Sequence, residues 1–387
     1  MASDEAEMRI AAQSTGGLDE YGVTDPYLEW QKREGVKLIQ DVAFEDLSQL
    51  ELGPWERKGG LGAVINIPYY RVMNDAHVVE IKPSGRSDPE HHMYEENVYI
   101  VSGRGATSIW HDEKEKTTFE WHAGSLFSIP LNSWYQHFNA SGSEPTRYIA
   151  VTNAPPIMRL FDDDEFVFNT PFNFTKRFGG QEDYFSATGN LYKFRVWESN
   201  FVPNAPDMPL YSWENRGAGG VNAMLQMAGN KMTSHISEFP VGTYKKSHRH
   251  GPGAHLLILS GHGYTLMWTK PDFSDVQKYN WKKGGMAIVS SDACYHQHFN
   301  TGTTRARYLA MHPGRMGTEA PLARRTGHGG TDVSFKDGGY QVEYEDEHRR
   351  IHEIFEADLK SNGATCLMKA FVPWCTGEVG PTDERLT

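Results

Sequence analysis

The middle of the chain is built from short runs of β-branched and aromatic residues broken by Gly, Pro, Asn and Asp. "NVYIVSG" (97–103), "ATSIWH" (106–111) and "SLFSIP" (125–130) are followed by "HLLILSG" (255–261), "YTLMWT" (264–269) and "GMAIVS" (285–290). Runs of this kind predict strands. Their close spacing predicts antiparallel sheets closed into a sandwich or barrel, where closure covers the edges. Helical signal is confined to the ends. "TDPYLEWQKREG" offers Asp25 as N-cap, Pro26 in the first turn and Gly35 as the stop. "DEHRRIHEIFEADLKSNG" (346–363) places Ile351, Ile354, Phe355 and Leu359 at helical spacing. The Phe-rich segment 155–200, with "FDDDEFVFNTPFNF", reads as an irregular connection packed over the first half of the chain.

The strand pattern occurs twice. "GRGATSIW" (103–110) and "GHGYTLMW" (261–268) share Gly, Gly, Thr and Trp at an offset of 158. "FEWHAGSLFSIPLNSWYQHFNASG" (119–142) and "YNWKKGGMAIVSSDACYHQHFNTG" (279–302) share Trp, Gly and a closing Gln-His-Phe-Asn at offsets of 160 to 161. "TRYIAVTNAP" echoes "ARYLAMHPGR". Similarity that keeps its order over this span marks a tandem duplication.

Composition narrows the class. At 387 residues, with 39% hydrophobic and 23% charged residues, the chain has room for two ordinary soluble domains. A net charge of −12 argues against nucleic acid or an anionic membrane as the main partner. No apolar run approaches the roughly 20 residues that span a bilayer. The acidic "MASDEAEMRIAAQ" lacks the features of a secretory signal, and Cys294, Cys366 and Cys375 do not make a disulfide framework. The expectation is a cytoplasmic protein.

In the second copy Gly242 precedes His248, Arg249 and His250 and then Gly261, while Gly285 precedes Ser291, His296 and Asn300. These stretches resemble the two motifs of the cupin superfamily, G-x5-H-x-H-x3/4-E-x6-G and G-x5-P-x-G-x2-H-x3-N, in its two-domain (bicupin) form. The resemblance covers about 60–155 and 220–315. It implies an all-β fold of tandem cupin (double-stranded β-helix, or jelly-roll) barrels with short terminal helices. The expected parts are an N-terminal helical or irregular extension (1–58), a first barrel (59–155), a connecting segment (156–215), a second barrel (216–315) and a C-terminal extension with one helix (316–387).

Residues at i and i+2 of a strand point to one side, so two imidazoles from one strand and a third from a facing strand can grip one metal ion. The second copy has His248, His250 and His296 for this. It lacks the family's acid: Ala254 stands there, with His255 beside it. The neutral three-histidine face resembles that of gentisate and salicylate dioxygenase-like cupins. A shift of one residue would instead bring His255 inward as a fourth ligand, which strand alternation disfavours. Cys294, two before His296, is a soft ligand or a small core thiol.

The first copy is different. Counting from Gly103 puts Glu90 and His92 in the two histidine positions, whereas counting from Gly85 puts His91 and Met93 there. The mismatch predicts a one-residue insertion in this turn. Glu96 stands at the acid position and Tyr135 where the second copy has His296. This leaves at most an improvised set of Glu90, His91, His92, Glu96 and Tyr135, and a scaffold role is expected. His137 and His298 recur at one place in both copies, which points to a shared structural hydrogen bond. His235 and His262 read as packed or exposed.

Three neutral ligands leave a divalent ion's charge uncompensated and up to three positions open, which suits an anionic, bidentate substrate together with dioxygen. The expectation is an iron(II)-dependent dioxygenase cleaving a C–C bond of a small anionic, aromatic hydroxy-acid. Tyr244, Trp268, Gln297 and Met227 are the expected substrate contacts, and Arg249 points outwards. Mn, Zn, Ni and Cu are alternatives to iron. With Mn, Zn or Ni as Lewis acid the second reading is a lyase, decarboxylase or isomerase; a non-catalytic ligand-binding bicupin is the third, and the retained histidines speak against it. The resemblance also implies a homodimer or larger homo-oligomer.

Overall fold

The paired stretches "TRYIAVT" and "ARYLAMHP" show how one strand serves two cores. In the computed structural model, which describes residues 24–67, 73–192, 195–250, 253–289, 294–313 and 331–378, they form strands Thr146–Thr152 and Ala306–Pro313 within two large sheets. Successive side chains leave a strand on opposite faces. Tyr148 and Ala150 enter a first barrel, while Ile149 and Val151 face a second layer. Tyr308 and Ala310 enter the second barrel, and Leu309 and Met311 face that same shared layer. Burial on both faces accounts for the unbroken apolar runs.

A three-stranded antiparallel sheet closes each barrel. Arg104–Trp110 lies between Trp134–Asn139 and Thr117–His122; its counterpart His262–Trp268 lies between Tyr295–Asn300 and Gln277–Lys282. The repeated glycines make this closure possible. A Cβ on Gly105 would meet Phe138 O at 2.0 Å, and one on Gly263 would meet Phe299 O at 1.9 Å. Here the backbones approach too closely for any side chain.

The repeat begins earlier than the strand pattern predicts. Lys37–Gln40 pairs in parallel with Gly60–Asn66, and Val196–Glu198 pairs in parallel with Val221–Gln226. Short strands are then exchanged between the barrels. Ala43–Phe44 joins Met286–Val289 of the second barrel, and Phe201–Val202 joins Leu126–Ile129 of the first. Each leading segment thus covers the other barrel's sheet edge, a place otherwise open to pairing with foreign strands. Phe44 sits in the shared layer beside Ile65, Leu257 and Ile288.

The first helix is Pro26–Glu34, with the Asp25 carboxylate accepting from the Tyr27 amide at 3.0 Å and Gly35 left-handed at φ 63°. The last helix is Arg349–Asn362; its Ile351, Phe355 and Leu359 pack with Tyr244, Tyr264 and Phe299 on the outside of the second barrel. Segment 155–200 is more regular than its sequence suggests. It contains helices Ala154–Phe161 and Asp164–Asn169, the second capped by Asp163 accepting from the Phe166 amide. The acidic run is a helix start, and Phe168, Phe178 and Phe185 cover the first barrel as expected. Among the described residues no helix is long and apolar enough to cross a membrane.

Truncating a buried Phe to Ala costs about 3 kcal/mol or more. Phe44→Ala should therefore lower the unfolding free energy by about 3 kcal/mol, measured by urea denaturation, and should raise amide exchange in Met286–Val289 of the second barrel. Unchanged protection of that strand would mean that the exchanged segment does not hold it.

Candidate metal centre

The ligand-bearing segment pairs with strand Tyr295–Asn300 in a register that slips once. Tyr244 lies opposite Phe299, and the Lys245 amide donates to His298 O. Three residues on, His248 and His296 face each other and exchange both backbone hydrogen bonds, at 3.2 and 2.9 Å. The extra residue turns Lys245, His248 and His250 to the barrel interior while Tyr244 faces out. The imidazole centroids lie 4.1 Å (His248–His296), 4.8 Å (His250–His296) and 5.1 Å (His248–His250) apart. One ring nitrogen from each lies within 4.8 Å of the other two. Burial, with Arg216 nearby, pushes His248 well below the ordinary imidazole range, and burial pushes His296 the same way. Neutral imidazoles carry the lone pair a divalent ion needs, and the donor set fits one once Arg216 gives up the His248 nitrogen it contacts.

Two cations share this interior. Arg216, from the short 3-10 turn Glu214–Arg216, donates to His248 Nδ1 at 2.5 Å and to Gln341 Oε1 at 2.7 Å. Lys245 Nζ donates to Ser237 Oγ at 2.8 Å and Tyr308 OH at 3.3 Å. Burial, then the charge of Arg216, drives the Lys245 ammonium well below its usual range. Among the described residues neither side chain hydrogen-bonds to a carboxylate. Both were missed by motif reasoning, although Arg216 lies 158 positions after Lys58 and the repeat links the two.

The first barrel uses the same slipped pairing with other side chains. Glu90 lies opposite Tyr135, which makes Glu90 the counterpart of His248 and His92 that of His250. Counting from Gly103 is thus the right register, and the turn holds no insertion. The Asn139 amide donates to Gly85 O as the Asn300 amide does to Thr243 O. Ser84, at φ 54°, is consequently the counterpart of Gly242, at φ 67°. Lys58, in the 3-10 turn Glu56–Lys58, donates to Glu90 Oε1 at 2.6 Å and Tyr135 OH at 3.3 Å. His92 Nε2 lies 3.1 Å from Tyr135 OH and 3.3 Å from Glu96 Oε2. Burial alone would raise the Glu96 carboxyl, but Lys58 and His92 hold it well below the ordinary carboxylate range. A lysine ammonium supplies the positive charge in this barrel. His91 turns away to Asn132 Oδ1 at 3.0 Å.

Several expected contacts lie elsewhere. Tyr244 and Trp268 pack in the outer cluster under the last helix. Gln297, between two inward histidines, also faces out, where its amide donates to Lys245 O and Glu347 Oε2. Met227 belongs to the layer between the barrels. His255 faces that layer too, with Nδ1 3.0 Å from Asn74 Nδ2, because it alternates with the inward Ala254; it lies outside the trio. Cys294 packs in the second barrel's core. Ser291 lies outside the described residues. His137 and His298 share one job: each meets a threonine, at 2.7 and 2.9 Å, and a tryptophan donates to that threonine.

Removing one partner of a buried ion pair costs about 3–5 kcal/mol, whereas an apolar replacement of both is often neutral. Lys58→Ala should destabilise by about 3–5 kcal/mol in chemical denaturation, and the pair Lys58→Met with Glu90→Leu should recover most of it. Equal losses in both variants would contradict the pairing. Burial also lowers His77, His137 and His255 to about 3. Their folded-state pKa values lie below the unfolded value of about 6.5, so the stability they contribute is present above that pH. It is lost as pH falls towards 3, by up to about 1.4 kcal/mol per unit for each imidazole. Urea midpoints should hold from pH 7.5 to about 6.5 and fall from there to pH 5; a flat profile below about pH 6.5 would contradict these assignments.

Residues 77–152 match the family model described as Cupin domain. A search of curated proteins finds no match. Among solved structures, oxalate decarboxylase from Bacillus subtilis at pH 4.6 is similar at 13% identity, covering 71% of this chain and 76% of that one with a TM-score of 0.46. A structure of oxalate decarboxylase concerned with its substrate binding mode is similar at 14% identity, covering 71% and 77%, also with a TM-score of 0.46. The first barrel carries the Cupin-domain match, and the second repeats its strands, register and slipped pairing: the fold is a tandem pair of cupin-like jelly-roll barrels.

Proposed function

We propose that the second barrel is a metal-dependent active site for a small anionic substrate, and that its reaction is iron(II)-dependent oxidative cleavage of a C–C bond in a hydroxy-acid. One observation carries this reading: His248, His250 and His296 converge beside Arg216 and Lys245, with Ala254 where the first barrel has Glu96. A divalent ion held by the trio would supply Lewis acidity and, as iron(II), a seat for dioxygen beside the substrate. The chain's own groups set what enters. Among the described residues no carboxylate hydrogen-bonds to Arg216 or Lys245, so the buried guanidinium favours an anion beside it. Arg216 presents a planar fork suited to a carboxylate, and Gln341 holds one arm of it in place. Lys245 holds a second charged or enolic oxygen from deeper in the barrel.

A redox-neutral lyase or decarboxylase using Mn, Zn or Ni is the second reading, and Lys245 is the observation that favours it. An ammonium pushed down by burial gives up its proton more readily than an ordinary lysine, and proton transfer is what a carbanion or enolate intermediate requires.

Iron-loaded protein offered a panel of aromatic hydroxy-acids should consume dioxygen in step with ring cleavage. His296→Ala should abolish this and remove the iron, while Tyr135→Phe should leave iron content unchanged. Arg216→Gln should raise KM for the acid about tenfold to hundredfold, as expected for losing a charged hydrogen bond. No oxygen uptake by the iron-loaded chain with any acid would refute the dioxygenase reading. Product release without oxygen consumption would establish the lyase in its place.

A further inference from the structure

A second group of ligand-type side chains lies outside the barrel, where the C-terminal tail folds back on the last helix. His352 and Glu356 are four apart and share one helix face; Gly363, left-handed at φ 67°, then turns the chain so that Cys366 and Cys375 return to them. His352 Nε2 lies 3.0 Å from Glu356 Oε1, the two sulfurs are 3.6 Å apart, and Cys375 Sγ is 4.0 Å from Glu356 Oε1. All four ligand atoms lie within 4.8 Å of one another. We propose that His352, Glu356, Cys366 and Cys375 form a structural zinc site.

The spacing fits the ion. Zinc binds sulfur at about 2.3 Å and nitrogen or oxygen at about 2.0–2.1 Å, so a tetrahedral site sets two sulfurs about 3.8 Å apart and a nitrogen and oxygen about 3.3 Å apart. The observed separations of 3.6 and 3.0 Å come close to both. The sulfurs are far beyond the disulfide bond length of about 2.05 Å.

The surroundings prepare the donors. The Tyr244 hydroxyl donates to buried Glu347, so its oxygen can accept from His352 Nδ1, 3.1 Å away. A proton on Nδ1 leaves Nε2 as a bare lone pair facing Glu356 and the sulfurs, the outer-shell arrangement that orients metal-bound imidazoles. Each sulfur receives an amide hydrogen from two residues on, Met368 for Cys366 and Gly377 for Cys375 at 3.3 Å. The Met368 amide favours the Cys366 thiolate, but burial outweighs it and pushes that thiol up to about 12, so zinc must displace the two thiol protons as it binds. The site also clamps the tail that supports the ligand segment: the Leu367 amide donates to Gly242 O at 2.9 Å, six residues before His248.

The test uses the full chain carrying His296→Ala, so that the barrel trio contributes no metal. Elemental analysis should find about one zinc per chain, lost when Cys366→Ser and Cys375→Ser are added. The cobalt-loaded form should show thiolate-to-cobalt charge-transfer absorption that the serine variant lacks. Should the serine variant fail to fold, alkylation read by mass spectrometry decides on the unaltered cysteines: both should be protected with zinc and react once a chelator is added. Absence of zinc, a cobalt spectrum without thiolate absorption, or a Cys366–Cys375 disulfide in protein from reducing cells would overturn the site. A loss of barrel activity alone leaves these readouts untouched.

Discussion

Backbone pairing between the segment Thr243–His250 and the strand Tyr295–Asn300, with its single slip, is the constraint on which the second barrel's chemistry rests. Strand alternation alone would leave Tyr244 and His248 on one side. The extra residue between them reverses that. It sends Tyr244 to the outer cluster and Lys245, His248 and His250 inward to meet His296. The first barrel has the same slip in the same place, so the duplication preserved a backbone device and altered only what it displays.

What it displays is a choice of charge. In the first barrel Lys58 reaches between Glu90 and Tyr135, with Glu96 ionised nearby, and the interior pairs its own side chains. In the second, imidazoles replace Glu90 and Tyr135, Ala254 replaces Glu96, and Arg216 replaces Lys58. A cation is retained at that corner, and among the described residues neither Glu90 nor Glu96 has a carboxylate counterpart. The anionic substrate proposed for this interior rests on that difference in charge rather than on the shape of any loop. The outer cluster ties this interior to the C-terminal helix through Tyr244, whose hydroxyl is shared with Glu347 and His352.

The strands, the duplication and both capped helices were legible because their signals are local: short apolar runs, Gly at closed approaches, Asp and Gly at helix ends. The trio was legible because the spacing of His248 and His250 and the repeated Gln-His-Phe-Asn carry it. The register of the first barrel was ambiguous by one because Gly85 drew the count, whereas Ser84 takes the left-handed position. The substrate contacts were misplaced for a related reason. Tyr244 and Gln297 are near the ligands in sequence, but slip and alternation turn them outward. Lys58 and Arg216 lie in turns without strand pattern, and the exchange of Ala43–Phe44 and Phe201–Val202 is a long-range pairing that no local signal encodes.

The central claim is that the later barrel holds a divalent ion on His248, His250 and His296. Anomalous diffraction from crystals of the iron-loaded full chain, collected on both sides of the iron edge, tests it most directly. The account predicts an iron peak within bonding distance of one nitrogen from each of the three rings. An iron peak only beside Glu90, His92 and Glu96 in the earlier barrel, or three imidazoles turned apart with no iron between them, would contradict it.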